Sequence, residues 1–364
     1  MRRNALLVAF LGFAALAVPP RTAGAQTGGI TINPGADADA FAQGIGTTTD
    51  VLVQQITSQV NGLFQVANVT SFLRDFQNAQ NFSSKGLGVD YASEATLVEA
   101  GATFSFASNI DKAYKASGSS TDPPFEGVGT NVSLMAGVGG GLFGFDPLMI
   151  FGNWFKHGIS LGQFDGNYHN WGLHAQIRLF GPSRKTSAVK MLVRWGGIAI
   201  TSGADYSHIT LGARTSLHST FNLPAVGIPQ GAPVTIRNTG IMTFTVEQTT
   251  WSIPLEVTTS LRLLSLLTVY GGIGLDFQLG GGSDMMLDMR DASLSGEVSG
   301  VRFDDLGTAD VRASGHVKPS PARLREIVGV QLGILDMIRF FVQVNMTASS
   351  PMLASLAGGL RLAY

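Results

Sequence analysis

The residues that could do chemistry are few, and most are badly spaced for it. The 364 residues contain six histidines and no cysteine. His169 and His174 differ in parity, so on one strand they point to opposite faces. His208 and His218 share a parity but lie roughly 33 Å apart along a straight strand. Neither pair can share a metal without a sharp bend, and His157 and His316 have no near partner in sequence. Ser207 and His208 are neighbours and so face opposite ways, which separates a nucleophile from its base. The stretch GGGLFG, Gly139 to Gly144, has the spacing of a phosphate-binding loop. That mechanism needs a helix to follow, and here Asp146-Pro147 comes next. Asp284, Asp288, Asp291, Asp304, Asp305 and Asp310 form an acidic stretch, read as a solvated outer loop with bound cations as the alternative. No catalytic residue, metal site or cofactor is expected.

More informative are charges that interrupt alternating segments. In WGLHAQIRL, Trp171 to Leu179, the residues Trp171, Leu173 and Ile177 share one parity, and His174, Gln176 and Arg178 the other. Successive strand side chains point to opposite faces, so the segment has one greasy face and one wet one. Trp251 and Phe340 extend the greasy set on later segments; Lys190, Arg194, Glu256, Arg262, Asp276, Arg339 and Arg361 extend the wet set. If the wet faces line a lumen, positive charge predominates there and a conducting pore would favour anions. The alternative is that several of these charges sit at strand ends and anchor at an interface.

The elements that must position them are strands. Glycine accounts for 46 residues and charged types for only 13%, a loop-and-strand composition. Arg2 and Arg3, the apolar run Ala5–Val18 and the small-residue site Ala23-Gly24-Ala25 make residues 1–25 a signal peptide. Removing its three arginines leaves 21 basic against 25 acidic side chains, so there is no electrostatic footprint for nucleic acid. Residues 26–49 read as a flexible lead. From Val51 to Ala79, Leu52, Ile56, Val60, Leu63, Val66, Val69, Leu73 and Phe76 recur at helical spacing. They predict one amphipathic helix about 45 Å long, inside segment 50–85.

Beyond residue 85 the period becomes two, and about twelve strands (10–14) are expected between 86 and 364. A soluble sandwich would turn the greasy faces inward, whereas a barrel turns them to lipid. The predicted fold is therefore all-β, a transmembrane antiparallel barrel preceded by one helix, in the outer membrane of a Gram-negative-type envelope. Counting back from the C-terminus puts Phe143–Pro147, Gly181–Ser187, Leu264–Ser265 and Leu335–Met337 on the periplasmic side, and 111–130 and 280–323 outside. The connection 218–232 breaks the pattern, as a long periplasmic turn.

Two resemblances add to this reading. The ending SLAGGLRLAY resembles the terminal signal that barrel-assembly machinery reads, with Gly359, Leu362 and Tyr364 in its positions and Ala357 where a polar residue is usual. The stretch NFSSKGLGVDYASEA, Asn81 to Ala95, resembles the N-terminal segment of the long-chain fatty-acid transporter family of outer-membrane barrels. Phe82, Ser83, Ser84, Gly86, Leu87, Gly88, Tyr91 and Glu94 carry it. That family's segment belongs to a hatch that moves to admit hydrophobic substrates. No Asn-Pro-Ala follows here, and a long helix precedes. A helix ahead of a twelve-strand barrel also resembles autotransporter translocators, without a passenger before it. The leading expectation is a monomeric barrel for passive transport of small molecules, hydrophobic ones among them, with a periplasmic or lumenal helix and residues 81–95 as plug. Its partners would be outer-membrane lipid, the assembly machinery and an unidentified cargo. The alternatives are a non-conducting adhesin or structural barrel working through its outer loops and, least favoured, a barrel hydrolase.

Overall fold

A computed structural model describes residues 26–65, 69–92, 96–110, 127–180, 193–223, 234–264, 266–334, 337–348 and 351–364. Residues 1–25, Lys190 and Glu94 lie outside them. Twelve antiparallel strands form one sheet: β1 (Gln26–Pro34), β2 (Val98–Asn109), β3 (Val128–Gly139), β4 (Leu148–Leu161), β5 (Phe164–Phe180), β6 (Val193–Leu223), β7 (Val234–Leu263), β8 (Leu267–Val298), β9 (Val301–Val317), β10 (Ala322–Ile334), β11 (Ile338–Thr347) and β12 (Leu353–Ala363). Three α-helices precede β2: α1 (Ala38–Gly44), α2 (Thr49–Gln65) and α3 (Val69–Ser83).

The sheet closes on itself as an all-β barrel, and the closure runs through ten of the twelve strands. β12 pairs with β2, β7 pairs with β8, and Leu267–Phe277 of β8 pairs with β10. Farther along, Ser283–Val298 of β8 pairs with β9 instead, and β1 adds to the other edge of β9. β9 and β1 therefore branch from the ring as a flap. We call the end at which Tyr364 lies the near end and the opposite end the far end.

Several sequence expectations need correction. Alternation reads as separate strands on either side of Asp205 and on either side of Gln248, but 193–223 is one strand, β6, and 234–263 is one strand, β7, because the two-residue period runs unbroken through those residues. β6 consequently ends, and β7 begins, at the far end rather than the near end, with Leu223 paired to Val234. Residues 280–323 are not a loop: β8 continues through them and β9 returns. The lead is not structureless, since Gln26–Pro34 is β1. The long helical pattern is observed as α2 and α3, on either side of residues 66–68, which lie outside the described residues, and the apolar stripes of the two bury in different places. The barrel wall starts at Val98 rather than residue 86. Expected and observed strand numbers agree only because two mergers offset two strands, β1 and β9, that alternation alone did not reveal.

The outward face is apolar and bounded by aromatic rows. Trp154, Trp171, Tyr206 and Trp251 stand in register across β4 to β7. The Trp171 and Trp251 rings lie 5.3 Å apart and those of Tyr206 and Trp251 4.8 Å. Toward the near end Phe143, Phe145, Phe180, Trp195 and Tyr364 are exposed. The ten residues from Trp171 to Phe180, nine steps, span about 30 Å of strand, or about 23 Å of height at a tilt near 40°, which matches a membrane barrel's apolar band. Among the described residues no helix is long and apolar enough to cross a membrane.

Beyond the upper row, the far end is a domain in miniature. β7 runs 17 residues past Trp251 to its start at Val234, about 56 Å of strand. Phe41, Ile45, Leu52 and Ile56 of α1 and α2 pack on Ile236, Met289, Leu294, Leu306 and Val311 of β7, β8 and β9. Asp305 anchors the chain entering α1: its carboxylate accepts from the Ala36 amide at 3.2 Å, and its own amide donates to Asp37 at 3.1 Å.

Candidate functional site in the barrel lumen

From α3 the chain descends into the ring, and the residues that follow reach almost every wall. α3 docks on β3 through Gln80, whose side-chain amide donates to the Thr130 carbonyl at 2.7 Å and accepts from the Thr130 amide at 3.1 Å. This pair takes the place of strand pairing, because β3 meets β4 only from Leu134 to Gly139. A second side chain serves the same exposed edge: Asn170 of β5 donates to the Val132 carbonyl at 2.9 Å. Gly129 allows the approach, since a Cβ there would lie 2.5 Å from the backbone of Ala79 and Gln80.

Below α3, Phe82 packs on Ala107 of β2 and Leu353 of β12. Lys85 donates to the Ser252 hydroxyl on β7 and faces the Asp205 carboxylate at 4.0 Å on β6. Gly86 and Gly88 have φ of +75° and +79°, and a Cβ at Gly88 would stand 2.7 Å from Asn153 of β4. The two turns place Val89, Asp90 and Tyr91 at the centre of the lumen, buried against Met135, Phe151, Tyr270 and Ile327 of four strands. Ala92 closes the series, its carbonyl accepting from Ser260 of β7 at 2.9 Å.

Two charge clusters meet this segment. Asp90 accepts from Arg361 of β12 at 2.8 Å and Arg339 of β11 at 3.4 Å, and its carbonyl accepts from Gln176 of β5 at 3.2 Å. Arg361 also donates to the Val89 carbonyl at 2.6 Å and to Gln331 at 3.1 Å, with its guanidinium 3.9 Å over the Phe341 ring. The second cluster centres on Arg325 of β10, fully buried, which donates to Asp276 at 3.0 Å, Asn345 at 2.9 Å and Glu256. On the same inner wall His174 meets Asp205 at 3.0 Å. A desolvated charge persists only with such partners, so each cluster must form as a unit.

The wet-parity residues sort by height. His174, Gln176, Glu256, Asp276, Arg339 and Arg361 are buried on the inner face and meet in these clusters. Arg178, Arg194 and Arg262 lie at the near-end rim, half-buried or exposed, and Arg194 stands opposite Arg262. Leu173, Ile177, Trp251 and Phe340 are exposed on the outer face and Trp171 half-exposed. Among the described residues the buried charges are Asp75, Asp90, Glu99, Asp205, Glu256 and Asp276 against Lys85, Arg323, Arg325, Arg339 and Arg361. The expected positive excess in the lumen is therefore absent from its buried part, because carboxylates on the inserted segment and on β6, β7 and β8 offset the arginines.

Sequence reasoning missed Asp90, Lys85, Arg323 and Arg325. For the arginines a signal existed: Arg323, Arg325 and Gln331 share a parity opposite to Leu324, Val328 and Val330. For Asp90 and Lys85 none did, since they lie in a turn-rich stretch without period. Ser207 and His208 do face opposite ways, Ser207 buried and His208 outward. The aspartates read as an outer loop stand on β8 and β9, and several are paired: Asp288 with Arg290 and Arg312 at 2.7 and 3.1 Å, Asp284 with His316 at 2.7 Å. Among the described residues no His, Asp or Glu group is arranged to hold a metal. Gly139 to Gly144 is a strand end and one 3₁₀ turn, with no α-helix to meet a phosphate.

At the seam, the Tyr364 carbonyl accepts from the amides of Leu97 and Val98 at 2.6 and 3.1 Å, and Gly359 lets Phe341 and β2 approach closely. Leu362 is exposed on the outer face.

Solved barrels are similar over most of the chain. The transport unit of the autotransporter AIDA-I from Escherichia coli matches at 10% identity and a TM-score of 0.28, over 78% of this chain and 95% of that one. The translocator domain of the autotransporter NalP from Neisseria meningitidis gives 11% and 0.29, over 78% and 93%. The Ralstonia pickettii toluene transporter TbuX gives 9% and 0.25, over 75% and 91%. No curated protein sequence matches. A family model described as Lsa36-like does match, from residue 30 to the last residue, 364, taking in the far-end unit, the inserted segment and the whole ring; the chain belongs to the Lsa36-like family.

Proposed function

We propose that this protein is an outer-membrane barrel, closed at rest and without an enzymatic step, that works on the outside through the sheet-and-helix unit at its far end. The observation that carries this is the pairing of a filled lumen with a projecting, independently cored platform. Asp90 ties the inserted segment to Arg339 and Arg361 on the adjacent strands β11 and β12 and to Gln176 of β5, while β6 to β9 extend far beyond the aromatic row. The orientation, far end outward, follows from the terminal strand reaching the near end and from the projection of one end only. Residues 1–25 would supply export, and the β12 ending the assembly signal.

A second reading, gated passive transport of small hydrophobic molecules, is favoured by how the segment is held. Side-chain ion pairs and apolar contacts retain residues 82–92, with no strand pairing, and such contacts can release. Met135, Met149, Phe151 and Tyr270 would then line an apolar path.

Planar-bilayer recording of the refolded full chain tests the proposal. Silence from a heat-modifiable barrel, together with protease access to the far-end unit on intact cells, is the expected pair of results. Steady open steps from the unmodified chain would overturn the closed-barrel reading and favour transport.

A further inference from the structure

The chain passes through the ring once before the wall begins, and its direction is informative. β1, α1 and α2 are at the far end, built into the core with β7, β8 and β9. α3 lies in the mouth against β2, β3 and β12. Residues 84–92 fill the lumen, and Leu97 and Val98 emerge at the near end on the Tyr364 carbonyl. Resting on the orientation proposed above, residues 26–65 finish outside, although an exported chain reaches the barrel from the periplasmic side.

We infer that the barrel carries its own N-terminal segment across the membrane, residues 69–92 being the part left in the conduit. Dimensions set how this happens. Ten strands about 4.8 Å apart, tilted near 40°, enclose a circumference of about 63 Å and a backbone-to-backbone diameter of about 20 Å. Inward side chains reduce that to the width of about one helix, roughly 10 Å. Residues 26–65 cannot pass already folded together. They cross as an unfolded or single-helix segment, and their core with β7 to β9 forms afterwards.

The chemistry of the retained segment fits a conduit. Its buried residues alternate between apolar contacts, such as Leu73 and Phe76, and a polar run of Gln77, Asn78, Gln80, Asn81, Ser83 and Ser84. The polar run faces a wet wall of Asn131, Ser133, Asn153 and Arg323, and Asn78 accepts from Arg323 at 2.7 Å. Burial of Phe41, Leu52 and Ile56 outside then makes the passage one-way, because return would expose them.

The cysteine-free sequence permits a direct test. Single cysteines are placed at Thr31 (T31C, on β1), Ala40 (A40C, on α1), Ser299 (S299C, the β8–β9 turn) and Met337 (M337C, near end), all exposed sites. Intact cells are treated with a membrane-impermeant maleimide, then lysed and treated again. T31C and A40C should label on intact cells as strongly as S299C, with M337C labelled only after lysis. Labelling of S299C with loss of both T31C and A40C would overturn the inference and leave the orientation standing. Protection of S299C itself would show that the orientation is wrong, and the inference would fall with it. Labelling of A40C alone would mean that β1 is displaced but that the segment has crossed, which supports the inference.

Discussion

Replacing Asp90 tests whether the lumen is held shut by charge. In the closed state its carboxylate meets Arg361 at 2.8 Å and Arg339 at 3.4 Å, and both arginines are buried. Asp90→Ala removes the anion and leaves two guanidinium groups in a desolvated site. Breaking a buried pair in this way costs about 3–5 kcal/mol. Once the segment has left the lumen the arginines are hydrated, so the penalty falls on the closed state alone. At 1.4 kcal/mol per tenfold, the open population rises by a factor of roughly 100 to 4,000. Arg361 keeps its bonds to the Val89 carbonyl and Gln331, which places the effect toward the lower end. Asp90 also accepts from the Ala92 amide at 3.0 Å, so the alanine change loosens a turn as well as a charge. Asp90→Asn keeps an acceptor for that amide and isolates the electrostatic part. Planar-bilayer recordings should show frequent opening steps in both variants where the unmodified chain is silent. If both stay as silent as the parent while migrating as folded barrels, the ion pairs do not hold the segment and the reasoning is wrong.

Other changes probe other levels. Arg325→Ala leaves Glu256 and Asp276 buried without their cation and should destabilise the barrel by about 3–5 kcal/mol; a lower temperature of heat modification would show it, with partial recovery in R325M/E256Q/D276N. Gly129→Ala pushes a Cβ into Ala79 and Gln80, at about 1–3 kcal/mol for overpacking. It should raise protease cleavage within 69–83 with the barrel itself intact, and an unchanged cleavage pattern would count against the Gln80–Thr130 docking. Deleting Tyr364 removes the carbonyl that accepts from Leu97 and Val98 and the last residue of the assembly signal. Folded barrel recovered from membranes should fall sharply, while equal recovery would mean that the seam is set elsewhere.

Sequence alone determined what is local. Alternation in Trp171–Leu179 fixes which side chains share a face, because a strand's period is two wherever the strand goes. It also marks Arg323 and Arg325 as odd among Leu324, Val328 and Val330. The helical spacing at Leu52, Ile56, Leu73 and Phe76 was equally legible, although not that the first pair packs at the far end and the second against β7, β8 and β9 in the mouth. What only the tertiary structure decided is which residues meet across the ring. Asp90 lies 271 residues from Arg361 and 249 from Arg339, and no period links them. Their meeting depends on the register of every ladder between β2 and β12 and on where two glycines with positive φ turn the inserted segment. The side on which residues 26–65 finish was hidden for the same reason: a strand's pattern is identical whether the chain before it came from above or below, and only ring closure around the segment distinguishes them.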